Sequence, residues 1–335
     1  MNGPEPAASA PAPTSEVAGF QHVPGNHCGS TALRNLLVHH GVPISEELAF
    51  GLGAGACFFY LPFDDLSPSR FTNGRTGRLE EQFVELTGAP LRLDTFEDRD
   101  AAWDAARAAV DAERPPILIT DLYYLDHYGR SAHFPGHAVV LAGYDSEVAY
   151  LSDTGFEELQ TTRLESLKQA RHGDHPVFPL EGHMFTLEEG SELGDLADAA
   201  PAAIARCARG MLEPELGDFQ GIPALRRFAA EVGSWPEQAD DSRWCARFLY
   251  QVIERRGTGG GNFRLMYSRF LEEAGYYEAA LAAAASAAWS SLAAAAQAAS
   301  EPEKPDAALW SAVETEAAAV LEAEERLWDA LAADS

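Results

Sequence analysis

The sequence predicts an α+β domain over residues 19–189 followed by an all-α domain over residues 190–335. Residues 20–189 alternate between helical periodicity and short β-forming runs, whereas the pattern after residue 189 is helical almost throughout. The chain has 335 residues, of which 46% are hydrophobic, which is enough apolar surface for two domains of ordinary size. Residues 1–18 are rich in Pro, Ala and Ser and are predicted to form a disordered tail.

The first predicted helix begins beside a cysteine. Asn26 is the predicted N-cap residue, three leucines in residues 33–37 keep helical spacing, and Gly41 is a natural stop. Cys28 is therefore expected in the first turn of a helix that ends near residues 39–40. Because first-turn N–H groups and the helix dipole favour an anion, we expect the pKa of this thiol to fall from about 8.5 toward neutrality.

The remaining elements follow from periodicity and turn residues. Helices are predicted over residues 80–87 and 101–113, and strands over residues 90–96, 115–124 and 183–187, with two more starting near His137 and Val148. These strands are expected to form an antiparallel sheet packed against the Cys28 helix. Helices predicted over residues 222–232, 241–256, 262–274, 276–299 and 305–333 indicate a helical bundle.

About 110 residues after Cys28, the chain contains a candidate base and a candidate group to orient that base. His137 opens a β-forming run, and Asp153 ends the next short strand. A hairpin that turns near Asp145 would return Asp153 to His137, whereas Asp145 itself lies eight residues along, roughly 26 Å away. His133 is the nearest rival base, but His137 directly precedes the apolar run. The pattern favours a triad of Cys28, His137 and Asp153.

Each triad residue also has an ordinary structural explanation. A lone cysteine is most often a buried hydrophobe, and a strand-end histidine needs no catalytic role. Asp153 would be a common residue to cap the turn that follows it. The other cysteines, Cys57, Cys207 and Cys245, lie in apolar or helical surroundings and are assigned to structure.

Two glycine-rich segments have competing explanations. Residues 51–55 read GLGAG, but no strand precedes them and no Lys-Ser/Thr follows, so a phosphate-binding loop is a poor interpretation. Close backbone packing is expected instead, with Phe58, Phe59 and Tyr60 lining a pocket or filling the core. The glycines of residues 257–261 either touch a substrate or form a tight interhelical turn at positive φ.

The composition narrows the class of partner. A formal net charge of −28, from 52 acidic and 24 basic residues, excludes nucleic acid as an expected partner; it suits a cationic substrate or simply a solvated acidic surface. No apolar run approaches the roughly 18 to 20 residues that span a bilayer, and no export signal is evident, so a cytoplasmic protein without a membrane partner is expected. Four cysteines without CxxC spacing argue against a structural zinc site, and no metal or cofactor is predicted. A homodimer is left open.

Together these motifs resemble the papain-like cysteine fold, in which a cysteine starts a helix, a histidine opens a strand and an Asp or Asn closes the next. A closer resemblance, carried also by residues 45–60, is to the acyltransferases typified by the butirosin biosynthesis protein. Residues 255–267, with the sequence RRGTGGGNFRLMY, resemble the helical domain of unknown function that often accompanies them. The resemblance covers roughly residues 20–280.

The resemblance implies acyl transfer through an acyl-Cys28 intermediate. His137 would deprotonate Cys28 and then the acceptor amine, while Asp153 would hold the histidine tautomer. The papain-like pattern adds a side-chain amide as an oxyanion donor, for which Gln21 and Asn26 are the candidates beside the Cys28 N–H.

The expected donor is an acyl thioester on an acyl carrier protein, and the expected acceptor is an amine of a natural-product intermediate. Arg264 joins the three aromatic residues 58–60 as a substrate-pocket candidate. Since carrier proteins are usually acidic, a basic patch would have to offset the net charge, with candidates at Arg226, Arg227, Arg255, Arg256 and Arg264. A thioesterase, a cyclase, an amidase or peptidase, and a catalytically silent binding or scaffold protein are the alternatives.

Overall fold

The computed structural model describes residues 15–63, 65–173, 175, 178–188 and 195–333. In this part of the chain the strands are β1 (Ser15–Glu16), β2 (Ala56–Pro62), β3 (Arg70–Arg75), β4 (Leu91–Asp94), β5 (Ile117–Asp121), β6 (Pro135–Tyr144), β7 (Val148–Ser152), β8 (Gln160–Arg163), β9 (His172–Gly173), β10 (Leu180–Glu181) and β11 (Met184–Leu187). The α-helices are α1 (Cys28–His39), α2 (Glu46–Leu52), α3 (Leu79–Thr87), α4 (Arg99–Asp111), α5 (Leu164–Ala170), α6 (Ala200–Leu212), α7 (Gly221–Glu231), α8 (Trp235–Gln238), α9 (Ser242–Glu254), α10 (Arg264–Glu273), α11 (Ala279–Ser300) and α12 (Ala307–Ala333).

These elements form two compact units. The sheet unit contains the described residues of Met1–Pro24, Asn35–Val42 and Leu91–Ser191, and the helical unit contains those of Gly25–Arg34, Pro43–Pro90 and Glu192–Ser335. The division therefore differs from the predicted linear boundary at residues 189 and 190. The reason is packing: α2 packs on α10 and α6, and the β2–β3 hairpin packs on α7 and α9.

The main sheet of the sheet unit is antiparallel throughout its described strands, in the order β4-β11-β5-β6-β7-β8, with β1 paired to the end of β6. Helices α4 and α5 cover it through a core that includes Trp103, Val139, Leu151 and Leu167. Asp145 closes the β6–β7 hairpin, because its side chain accepts the Glu147 and Val148 N–H groups. The predicted antiparallel sheet and hairpin are confirmed.

The structure corrects two predictions about elements. Residues 15–18 are not a disordered tail, because Ser15 and Glu16 pair with β6 and Val17 is buried in the sheet core. The rest of that tail, residues 1–14, lies outside the described residues. The β2–β3 hairpin was not predicted, and neither were α2, α5 and β8. The apolar run of β2 is buried on both faces, so it lacks the alternation that marks a strand.

A buried ion pair organises the helical unit. The Arg264 guanidinium contacts the Glu324 carboxylate at 2.8 and 3.1 Å, and both side chains are fully buried. The indole N–H groups of Trp289 and Trp328 donate to the same carboxylate, each at 2.6 Å. Arg264 also donates to backbone carbonyl groups of Gly74 and Cys57, at 3.0 and 2.9 Å, so it joins the helices to the β2–β3 hairpin. These charge-assisted hydrogen bonds offset the free-energy cost of burying the two charges.

Among the described residues one helix, α11, is long and apolar enough by composition to cross a membrane. Its neighbours in the helical unit are α9, α10 and α12, and Trp289 in its middle is fully buried. A single helix of this kind is weak evidence for a membrane span.

We predict that Glu324→Ala lowers the free energy of unfolding by about 3–5 kcal/mol, because it leaves the Arg264 charge buried without a counter-charge. The neighbouring Glu325 supplies the control, since it pairs with Arg226 at the surface and its replacement by Ala should cost at most about 1 kcal/mol. Urea unfolding followed by helical circular dichroism measures both. Equal unfolding midpoints for the two variants would show that the buried pair does not hold the helical unit together.

Candidate functional site

His137 and Asp153 meet at one end of the β6–β7 hairpin. The register that pairs Val140 with Ser152 brings the start of β6 beside the end of β7. His137 Nε2 lies 3.0 Å from Asp153 Oδ1, the Asp153 side chain is fully buried, and His137 is 5% exposed. Because Nε2 faces the carboxylate, the other ring nitrogen, Nδ1, is the atom at which this histidine would exchange a proton with a reacting group.

Two further side chains donate to the same carboxylate. His127 Nε2 lies 2.8 Å from Asp153 Oδ2, and the Tyr128 hydroxyl donates to Oδ1 at 3.2 Å. Burial by itself would raise the pKa of Asp153, but the charge of His137 and the hydrogen bonds from His127 and His137 outweigh it and hold the pKa well below its usual value. The carboxyl group therefore stays ionised and fixes the orientation of His137.

His127 and Tyr128 were not predicted from the sequence as site residues. They lie in a 3-10 turn, Asp126–Tyr128, within the long connection between β5 and β6. Asp126 anchors that turn by accepting hydrogen bonds from Arg163 and Ser166, and Arg163 chiefly lowers the pKa of Asp126 to about 2. Three consecutive hydrogen-bonding side chains in a connection between buried strands were the available signal.

The two residues that compete for roles in the triad, His133 and Asp145, have other hydrogen-bond partners. His133 Nδ1 lies 2.6 Å from Asp121 Oδ2, in a pair separate from Asp153. Asp145 closes the hairpin turn at the opposite end of β6. The structure thus brings His137 to Asp153 and leaves both competitors with other partners.

Cys28 is the first residue of α1 and is partly exposed. The residue that caps this helix is His27, whose Nδ1 accepts the Ser30 N–H at 3.3 Å while its carbonyl accepts the Thr31 N–H at 2.9 Å. The prediction that Asn26 is the N-cap was wrong, because the helix begins one residue later than that assignment requires. The end of the helix near Gly41 is confirmed, with φ of +80° at that glycine.

A buried carboxylate lies against the start of α1. Glu46 Oε1 accepts the N–H groups of Asn26 and His27 at 2.8 and 2.7 Å and the Thr31 hydroxyl at 3.1 Å. Glu46 is 5% exposed. Its charge complements the positive end of the helix dipole and fixes the backbone just before Cys28.

A second carboxyl group lies over Gly29, where its position leaves no room for a side chain. This group belongs to Glu80, and burial raises its pKa to about 7. Glu80 thus places an ionisable carboxyl group with a pKa near neutrality against Gly29, the residue that follows Cys28.

The glycine-rich residues 257–261 form a tight turn between α9 and α10. Four glycines in it have φ between +54° and +101°, and a side chain at Gly257 would collide with the Asn26 carbonyl oxygen. Just after the turn, Phe263 stacks on Phe50 with 5.6 Å between ring centroids. Both rings meet the edge of His27 at 5.7 Å. The turn therefore supports the segment that precedes Cys28.

Three of the four predicted pocket residues are fully buried. Phe58, Tyr60 and Arg264 are fully buried, so they leave no surface for a substrate to contact, whereas Phe59 is half-buried. Gln21 is exposed in the sheet unit, and Asn26 is exposed with its amide donating to Glu46 at 3.2 Å.

The remaining cysteines are all buried. Burial raises the pKa of Cys57 to about 11 and that of Cys207 to about 12, and it raises the pKa of Cys245 as well. Thiols with such pKa values are poor nucleophiles at neutral pH.

Cys28 belongs to the helical unit, and His137 and Asp153 belong to the sheet unit. Helix α1 passes from one unit to the other between Arg34 and Asn35. In the sheet unit the Asn35 amide donates to the Ser152 hydroxyl at 3.1 Å, next to Asp153 in the chain.

These side chains belong to a mixed α and β protein with a helical C-terminal region. Residues 27–154 match the family model of butirosin biosynthesis protein H, N-terminal, and residues 165–331 match a domain of unknown function, DUF4872. The resemblance to the butirosin biosynthesis protein H family seen in the motifs is confirmed over residues 27–154. None of the curated proteins matches the sequence. The first match begins one residue before Cys28 and ends one residue after Asp153, so it contains all three triad residues.

We predict that Asp153→Asn lowers the free energy of unfolding at pH 7 by about 1–3 kcal/mol, because a buried charge that accepts three hydrogen bonds is lost. The folded pKa of Asp153 is below its unfolded value of about 3.9, so its contribution is complete above pH 4 and is lost as the pH falls further toward the folded pKa. The gap between wild type and variant should therefore narrow below pH 4. Urea midpoints across this range measure it.

The exposed Asp104→Asn is the matched control and should shift stability by at most about 0.5 kcal/mol at any of these pH values. A gap for Asp153→Asn that widens below pH 4 would contradict the assigned direction of the pKa shift.

Proposed function

We propose that this protein is a cysteine-dependent acyltransferase of natural-product biosynthesis, in which a papain-like arrangement of Cys28, His137 and Asp153 carries the acyl group as a thioester on Cys28. The observation that carries the proposal is the buried Asp153 carboxylate, which holds the imidazole of His137 at 3.0 Å on a rigid hairpin. The family match supports it, since the first matched region contains the three residues.

The reaction divides into two acyl exchanges. In the first, His137 takes the proton of Cys28 at Nδ1, the thiolate attacks the thioester carbonyl of the donor, and the donor thiol leaves with that proton. In the second, the acceptor amine attacks acyl-Cys28, His137 takes the amine proton, and the Cys28 thiolate is released. The first exchange is nearly isoenergetic, and formation of an amide makes the second favourable.

An oxyanion must be stabilised in both exchanges. The Cys28 N–H, at the first position of α1, is one proposed donor. The exposed amide of Gln21 is the proposed second donor, because the Asn26 amide is already bonded to Glu46.

The proposed donor is an acyl carrier protein and the proposed acceptor a cationic amine, in a reducing cytoplasm. Three of the arginines predicted to attract an acidic carrier already have acidic partners: Arg264 is buried against Glu324, Arg226 pairs with Glu325, and Arg227 pairs with Glu231. With a net charge of −28, carrier and enzyme should repel each other, while an amine should be attracted.

We predict that a thioester donor adds one acyl group to the wild-type chain and none to Cys28→Ser, because the serine hydroxyl is far less acidic than the thiol at nearly the same size. Intact-mass spectrometry with peptide mapping measures this. Iodoacetamide at neutral pH should label Cys28 selectively for the same reason. An adduct that persists in Cys28→Ser, or that maps to a buried cysteine, would remove Cys28 as the nucleophile.

In the same assay His137→Ala should slow acylation nearly as much as loss of the cysteine, and Asp153→Asn should slow it less, because the asparagine only misorients the base. His39→Ala removes an imidazole outside the triad and is the matched control. Equal rates for His137→Ala and His39→Ala would contradict the role of His137, and an iodoacetamide-unreactive Cys28 would favour a binding or scaffold protein.

The fate of the acyl group separates a transferase from a hydrolase. We predict that isolated acyl-Cys28 is long-lived in buffer and is discharged rapidly by a polyamine or aminosugar. Added salt should slow this discharge by screening the attraction of the amine, and should speed the loading step from an acidic carrier protein by screening repulsion. Rapid release of free acid without any amine would instead establish a thioesterase, and salt-independent rates would show that the acidic surface has no part in substrate capture.

A further inference from the structure

The sheet unit contains a second cluster of ionisable side chains, apart from His137 and Asp153. Asp121 ends β5, His133 lies two residues before β6, and His175 follows β9. Their ligand atoms all lie within 4.8 Å of one another. None of the three contacts Asp153, and the function proposed for Cys28 does not use them.

Both histidines point to the same oxygen of one carboxylate. His133 Nδ1 is 2.6 Å and His175 Nε2 is 3.2 Å from Asp121 Oδ2. The other oxygen of Asp121 accepts the backbone N–H groups of Tyr123 and Phe134, at 3.1 and 2.9 Å. The fully buried carboxylate is thus held rigidly, with one oxygen presented to two imidazole rings.

Hydrogen bonding alone does not account for this arrangement. His175 Nε2 is close to Asp121 but is not aligned as a hydrogen bond, so this nitrogen is buried without a hydrogen-bond partner. If both rings were protonated, two positive charges with centroids 5.9 Å apart would face a single carboxylate. Two neutral imidazoles and a carboxylate around one point are instead the donor set of a divalent transition metal.

The distances and surroundings suit zinc. A tetrahedral ion with bonds of about 2.0–2.1 Å separates its ligand atoms by about 3.3 Å, which the 3.2 Å from His175 Nε2 to Asp121 Oδ2 matches. His133 Nδ1, at 2.6 Å from the same oxygen, would move outward when the ion binds. The His175 ring folds over Gly173, where a side chain would occupy its place. His133 is half exposed and stacks on Tyr123 with 4.0 Å between centroids, which orients the ring and leaves a route for an ion.

We propose that Asp121, His133 and His175 bind one zinc ion, with water as the fourth ligand. Asp121 lies just before the connection of residues 122–134, and His133 lies near its end. This connection carries His127 and Tyr128 to the Asp153 carboxylate. A bound ion would close this connection at its two ends and order it. The bound ion would therefore hold in place the segment that supports Asp153. This role does not depend on Cys28 being a nucleophile.

The test uses the full chain with Cys28→Ser, which removes the exposed thiol as a competing ligand. Equilibrium dialysis against Zn²⁺ should give one ion per chain. His133→Gln and His175→Gln should each weaken binding about 100-fold, the upper end of what even outer-shell changes cost at zinc sites. His39→Gln, which also loses one imidazole, should bind as the parent does. Co²⁺ in place of Zn²⁺ should give visible absorption that both site variants lose.

Hydrogen exchange supplies an independent readout. Zinc should slow amide exchange in residues 122–134 of the parent by at least tenfold and leave His133→Gln unchanged. His133 is half exposed, so this variant should fold. A parent chain that retains no zinc, or site variants that bind zinc as tightly as His39→Gln, would overturn the proposal.

Discussion

The ionised Asp153 carboxylate is the constraint around which the sheet unit is arranged. A charge without solvent contact is tolerated only when donors surround it, and here the donors come from β6 and from the connection between β5 and β6. That connection must therefore fold back over the hairpin end, and Asp126 holds it there by bonding to Arg163. The cost of burying one charge thus fixes a loop, a strand end and the orientation of His137 together.

The same physical requirement recurs in the helical unit. Glu46 is buried against the first turn of α1 and satisfies backbone N–H groups that the helix itself leaves open. Glu324 is buried between two tryptophans and Arg264, which in turn bonds to carbonyl groups of the β2–β3 hairpin. Each buried carboxylate joins segments that are far apart in the chain. The bonds from Arg264 to Gly74 and Cys57 join residues 43–90 to the C-terminal helices.

The sequence predicted the long elements well because their signals are local. Helices α1, α3 and α4 and the strands of the His137 hairpin lie within a few residues of their predicted bounds. The pairing of His137 with Asp153 was also predictable, since one hairpin turn determines it. The division into units was not, because it depends on Glu324 meeting Arg264, 60 residues away, and on helices packing on an early hairpin. His127, Tyr128 and Glu46 were missed for the same reason: their partners are set by tertiary folding.

The buried carboxylates also change the argument for Cys28. From the sequence, the positive end of α1 is expected to favour a thiolate. In the structure Glu46 already occupies that end with a negative charge, and Glu80, with a pKa raised to about 7, adds a second as the pH rises. Two carboxylates oppose a third anion at the same helix start. A thiolate there requires a compensating cation. In the proposed function, a protonated His137 held by Asp153 would be that cation as well as the base.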